Sequence, residues 1–398
     1  MQNKKISSKA KNALLLGLMC SIAYLAVYIA RNALSAASPE IQQGSVFTTK
    51  QLGTMSSVYF IAYAIGQLIN GALGDRVKGK YMISFGLLLA AVGNFAFPFL
   101  GGKPGLAVAF YGTSGFCLAM IYGPMVKLVA ENVPDYASKC SVGYTLASFL
   151  GSPVAGLLAA GLSWRWVFFT SGGILLIMGV ICLVIFAFFE KKDIICYRKY
   201  QKPAKCTGSG GIKLLIKRQI IRFTAVAVLT GIVRTTVVFW LPTYLSSHLN
   251  FSPETAALIF TVATLALSVS VFLAVFAYEK LKHNMQLVLL LAFSCAMLCF
   301  LAVFFVQQKI LNIILLVLAI LFSNTAANLM WSCYCPALRD TGMVSGATGF
   351  LDFSSYMAAS VASAIFANAV GNIGWGGLIL VWSGLMLCGV VVALLPSK

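Results

Sequence analysis

The chain has 398 residues, of which 60% are apolar and only 10% charged, with a formal net charge of +19 and a mean hydropathy of +0.91. Soluble domains are about 45–50% apolar and about 25% charged, so this composition excludes a soluble protein and predicts an all-α polytopic membrane protein. The apolar stretches run unbroken and do not alternate, which excludes a transmembrane β-barrel.

In chain order, apolar segments of spanning length fall near 12–36, 52–73, 81–100, 105–130, 139–161, 165–189, 219–247, 255–278, 284–306, 309–333, 343–368 and 373–395, twelve in all. Each holds the roughly 20 residues that cross about 30 Å of hydrocarbon. The first is too long for a cleaved signal peptide, and eleven more follow. Lys4, Lys5, Lys9 and Lys11 precede it, Arg76, Lys78 and Lys80 follow the second, and Lys191, Lys192, Arg198, Lys199, Lys202, Lys205, Lys213, Lys217, Arg218 and Arg222 lie after the sixth. The opposite loops hold only Lys50, Lys103, Arg165 and Lys309. The positive-inside rule then puts both termini in the cytoplasm, and the short loops suggest a bacterial inner membrane.

Residues 190–218 are the one long polar stretch, basic and carrying Gly208-Ser209-Gly210-Gly211. They divide the chain into an N-terminal six-helix bundle (1–189), a basic linker that touches anionic lipid, and a C-terminal six-helix bundle (219–398). The halves carry corresponding marks. Arg31 in the first span is followed eight residues later by Pro39, and Arg234 in the seventh is followed eight residues later by Pro242. Asp75-Arg76 after the second span is echoed by Glu279-Lys280 after the eighth. Matched marks in a 6+6 chain are what a duplicated transporter fold would leave.

A central arginine lies about 2.5–3.5 kcal/mol uphill in a membrane span, and this chain carries two. Nine of its ten acids fall in loops or at span ends: Glu40, Asp75, Glu131, Asp135, Glu190, Asp193, Glu254, Glu279 and Asp340. Only Asp352, in the eleventh span, lies inside, and one carboxylate cannot neutralise two guanidinium groups. A cavity between the halves would therefore attract an anion, and arginine favours the forked binding of phosphate or carboxylate. Tyr24, Tyr28 and Arg31 share one helix face at i, i+4 and i+7. Tyr63 and Gln67 share a face of the second span, Tyr122 precedes Gly123-Pro124 in the fourth, and Tyr356 lies one turn after Asp352. The eleven cysteines lie mostly in apolar runs and read as small apolar residues. Neither a metal nor a cofactor is expected. No phosphate-cradling glycine loop or nucleophile–histidine pair points to an enzyme.

The loop Gly71-Ala-Leu-Gly-Asp75-Arg76-Val-Lys78-Gly79-Lys80 resembles the signature loop of the major facilitator superfamily, with Gly79 one place later than in the usual pattern. It reads as a conformational latch in which Asp75 and Arg76 couple the halves. Tyr28-Ile-Ala-Arg31-Asn-Ala-Leu-Ser-Ala-Ala-Ser-Pro39 resembles the first span of the organophosphate:phosphate antiporter family, and Arg234-Thr-Thr-Val-Val-Phe-Trp240-Leu-Pro242-Thr-Tyr244-Leu its seventh. That resemblance implies a two-domain rocker switch, with an arginine from each half gripping the phosphate while inorganic phosphate travels the other way. It carries the grip over to Arg31 and Arg234 and places Tyr63, Tyr122 and Tyr356 along the pocket. Asn32, Gln67 and Ser148 stand where family members have Lys, Lys and His, so this pocket is the less basic.

Three function classes follow. The first is a monomeric exchanger of a sugar-phosphate or glycerol-phosphate type of anion for phosphate. The second is a proton-coupled symporter of sugar acids or other carboxylates, with Asp352 as the proton carrier. The third is a membrane sensor of a phosphorylated metabolite built on the same fold.

Overall fold

The computed structural model describes residues 2–74, 77–197, 215–338 and 344–395. Its helices are α1 (Gln2–Gln43), α2 (Thr49–Gly74), α3 (Gly79–Ala96), α4 (Pro104–Asn132), α5 (Ala137–Gly161) and α6 (Trp164–Lys191). Then come α7 (Ile220–Ser247), α8 (Pro253–Leu267), α9 (Ser270–Lys280), α10 (Met285–Phe305), α11 (Lys309–Leu329) and α12 (Val344–Leu394). Hydrocarbon offers no partner to a bare backbone, so the spanning segments satisfy their N–H and C=O groups within helices.

Among the described residues, eleven helices are long and apolar enough to cross a membrane. The count differs from the expected twelve for a local reason. The last helix runs on through Gly374, whose φ of 67° and ψ of −178° break the helical geometry and split it into two segments. The eighth span, in contrast, is two helices. Between α8 and α9 the Ser268 and Val269 amides bond to Leu265 and Ala266, and the Ser270 hydroxyl donates to the Leu267 carbonyl (2.6 Å). Pro39 and Pro242 lie inside α1 and α7, and both helices continue past them.

The chain forms two compact units. The first comprises Met1–Thr48, Val58–Gln201 and Ser252–Thr261; the second comprises Thr49–Ser57, Lys202–Phe251 and Val262–Lys398. In the first, α1 and α5 run in parallel, with Gly143 against Ser21 and Gly151 against Tyr28. Gly143, Ala147 and Gly151 repeat at every fourth residue, and such small side chains let two membrane helices approach closely.

Glu40, expected at a span end, lies within α1. Its carboxylate accepts the Trp164 amide at 2.6 Å, satisfying an orphan N–H at the start of α6. At the lysine-rich end of this unit, Glu190 takes both Lys78 (2.6 Å) and Lys80. The Tyr197 hydroxyl accepts the Lys80 amide (3.3 Å), and Asn132 Oδ1 accepts the Cys196 amide (2.7 Å). Burial pushes the Tyr197 hydroxyl pKa up from its ordinary value. Lys80, expected as a loop cation, is the buried second residue of α3.

In the second unit, Trp382 Nε1 donates to Thr236 Oγ1 (3.1 Å) and the Tyr244 hydroxyl donates to Asn312 Oδ1 (2.7 Å). Asn312 in turn donates to the Val303 (3.1 Å) and Val306 (3.0 Å) carbonyls, one in the last turn of α10 and one just past its end. This unit includes the start of α2, where the Ser360 hydroxyl donates to the Ser57 carbonyl (3.0 Å).

Candidate functional site

The first unit builds a cationic site from α1, α2 and α4. Arg31 is half-buried. Its guanidinium carbon lies 5.2 Å from the Tyr28 ring, 5.4 Å from Phe60 and 5.1 Å from Tyr63. Tyr28 is one turn before Arg31 on α1, while Phe60 and Tyr63 share a face of α2 at i and i+3. Cation–π contacts each contribute about 0.5–1 kcal/mol at exposed sites and about 2 kcal/mol when desolvated. Three of them offset much of the roughly 2.5–3.5 kcal/mol cost of a membrane-embedded arginine. A ring face does this without itself cancelling the charge.

A second layer fixes these groups. Tyr63 is buried and stacks on Tyr59 at 6.2 Å, and Tyr59 contacts Tyr111 at 4.8 Å. The Tyr111 hydroxyl donates to the carbonyl of Arg31 itself (3.2 Å). Beyond Tyr28, three tyrosines from α1, α4 and α5 converge. Tyr24 is 5.0 Å from Tyr28, 5.5 Å from Tyr122 and 6.3 Å from Tyr144, and Tyr122 is 6.3 Å from Tyr144. Gln67 is half-buried, one turn past Tyr63.

The structure thus brings Arg31, Tyr28 and Tyr63 together and links Tyr122 to them through Tyr24. Phe60, Tyr59, Tyr111 and Tyr144 are part of the assembly, and the sequence reading did not single them out. The spacing Tyr59, Phe60, Tyr63 on one span is the signal that would have found the first two.

The second unit carries Arg234 on α7, half-buried. Arg234 makes no salt bridge to a carboxylate among the described residues. Trp240 and Tyr244, farther along α7, are fully packed side chains in an aromatic cluster with Trp375. On α12, Tyr356 is buried. Asp352, expected to be the one buried acid, is only half-buried. The α12 helix starts at Val344, so Asp352 sits only about two turns inside that helix. Gly231, three residues before Arg234, lies against Ser355, so α7 and α12 meet closely beside Arg234, Asp352 and Tyr356. Asp75 and Arg76, the expected coupling residues, lie outside the described residues.

Comparison with known proteins places this architecture. The sequence profile of the Major Facilitator Superfamily matches residues 20–359, and the chain belongs to that family. It is 23% identical to the phosphoglycerate transporter protein of Salmonella typhimurium over 397 aligned positions, covering 92% of this chain and 85% of the relative. It is also 23% identical to the hexuronate transporter of Bacillus subtilis, covering 90% of this chain and 88% of the relative. The crystal structure of a D-xylose-proton symporter matches with a TM-score of 0.74 at 14% identity, covering 95% of each chain, which speaks for the fold.

Proposed function

We propose that this multi-pass protein is a secondary active transporter that exchanges a small organophosphate for inorganic phosphate by alternating access. Arg31 and Arg234 grip the anion, one from each unit. Tyr28, Tyr63, Gln67, Tyr122 and Tyr356 complete the pocket, and Asp75 and Arg76 couple the conformations. The observation that carries this reading is the pair of half-buried arginines in matched helical settings, with three aromatic rings against the Arg31 guanidinium. The Salmonella phosphoglycerate relative supports the substrate class. In this reading residues 1–189 and 219–398 rock as two bundles about the 190–218 linker, the protein is a monomer in a bacterial inner membrane, and both termini are cytoplasmic.

Proteoliposomes loaded with phosphate test it. Labelled phosphate or organophosphate should enter only when internal phosphate is present, and Arg31→Lys should slow the exchange heavily. Uptake that ignores internal phosphate counts against exchange.

A second reading has one specific support. The hexuronate relative and the neutral Gln67 fit a carboxylate substrate driven by protons, with Asp352 as the carrier. Asp352→Asn should then remove uptake driven by a pH gradient and spare counterflow. A pH-insensitive wild type excludes that version.

A further inference from the structure

The second unit carries a cavity that the transport reading does not use. It is an open groove of about 450 Å³ between α7 and the two segments of α12, and every side chain along it is apolar. Ala358, Val361 and Ile365 line it from the first segment, at i, i+3 and i+7 on one helix face. Val381 and Leu385 line it from the second segment, and Ile232 of α7 completes it. Val361 and Ile365 are 52% and 57% exposed, so one side is open. Gly384 shares the face of Val381 and Leu385 and has nothing within 4 Å of where a side chain would begin. Ile232 and Arg234 are two residues apart, about 200° around α7. The groove and the arginine therefore lie on opposite faces of that helix.

The helical rise gives the depth of the groove. Counted back from the joint at Gly374, Ile365 and Ala358 lie about 14 and 24 Å along the helix. Counted onward, Val381 and Leu385 lie about 10 and 16 Å along it. The groove thus falls within the roughly 30 Å of hydrocarbon, where a polar ligand would find no partner on its lining. From Ala358 to Ile365 it runs about 10 Å. Spread over that length, its volume gives a cross-section of about 45 Å². A helix with its side chains is about 10–12 Å across, or about 80–110 Å², and is too wide to enter. An extended hydrocarbon chain is about 4–5 Å across at van der Waals contact. Two such chains side by side fit.

We infer that this groove is a lipid site, occupied by the acyl chains of one membrane phospholipid. Apolar surfaces gain no hydrophobic driving force from meeting inside a bilayer, so packing holds the chains. A groove left empty forfeits the dispersion contacts of its lining. A chain enclosed by α7 and both segments of α12 makes more of these contacts than one on an even helix surface, and so stays when its neighbours exchange. The site stands independently of the exchange reading above.

Native mass spectrometry of the full-length protein decides it. The protein is reconstituted with phosphatidylethanolamine and phosphatidylglycerol, then stripped stepwise with detergent. The wild type should keep one phospholipid after the rest has washed away. Ala358→Phe and Gly384→Phe place a ring in the groove from its two segments, and each should lower the lipid-bound fraction about fivefold. Leu387→Phe, on exposed surface outside the groove, should keep the lipid. A wild type that washes free of lipid, or groove variants that retain it as the wild type does, overturns the inference. A wild-type dimer that Ala358→Phe splits into monomers would put a second copy at the groove and overturns it equally. The two groove variants enter from different segments, so one that fails to fold leaves the other to decide, and the wild-type result stands without either.

Discussion

Gly151 on α5 lies against the backbone of Tyr28 on α1, and a side chain at 151 would begin 2.8 Å from the Tyr28 carbonyl carbon. Arg31 is one turn beyond that contact. The second unit repeats the arrangement with the roles exchanged. There the glycine is Gly231 on α7, one turn before Arg234, and the larger residue is Ser355 on α12. In each unit the helix bearing the arginine is seated by a glycine contact, so the seat sets the depth of the guanidinium.

The seat predicts its own mutants. Gly151→Ala should lower stability by about 1–3 kcal/mol, the usual cost of overpacking, read as a fall in melting temperature in detergent. Gly151→Val should go further and weaken anion affinity by shifting Tyr28 and Arg31. Melting and affinity like the wild type in both variants would show that α1 is positioned by something else.

Exchange of Arg31 or Arg234 for lysine keeps the charge and loses the fork. A charge-assisted hydrogen bond contributes about 1.5–3 kcal/mol, so phosphate affinity should fall roughly ten- to hundredfold. Calorimetric titration with phosphate measures this directly. Lysine variants that bind as well as the wild type would mean the arginines act as point charges only.

Phe60 has no polar atom, yet it encloses the guanidinium of Arg31. Phe60→Leu should weaken anion affinity about three- to fivefold through the lost cation–π contact. Phe60→Tyr, which keeps the ring, should restore most of it. Equal losses in the two variants would point to packing instead of ring electrostatics.

Glu190 holds Lys78 and Lys80 at the basic end of the first unit. The pairs are partly solvated, so Glu190→Gln should cost only about 1 kcal/mol. Salt should separate this from a packing effect: the melting temperature of the wild type should approach that of the variant as sodium chloride rises. A gap between them that does not change with salt argues against an ionic role.

Composition and apolar length were enough to read the membrane class, and the paired Arg-x7-Pro marks were enough to single out Arg31 and Arg234. Two kinds of feature escaped. Gly374 was not legible as the joint of the last two spans, because glycines are frequent throughout this chain and only the backbone angles distinguish one of them. Phe60, Tyr59 and Tyr111 escaped because an aromatic residue in an apolar run carries no mark of its own; its role depends on which charge the tertiary packing brings to its face. Asp352 misled for the opposite reason. Its position between apolar neighbours suggested burial, but a residue two turns from a helix start remains partly accessible.

Gly374 joins the last two crossings with a single non-helical residue. That joint leaves no connecting segment for a protease to cut, a glycan to decorate or an epitope tag to occupy. Its ψ near 180° at positive φ is open essentially to glycine alone. During synthesis the two segments have no slack between them and must enter the bilayer as one hairpin. Gly374→Ala should therefore show itself first as poor insertion and low yield, before any transport is measured.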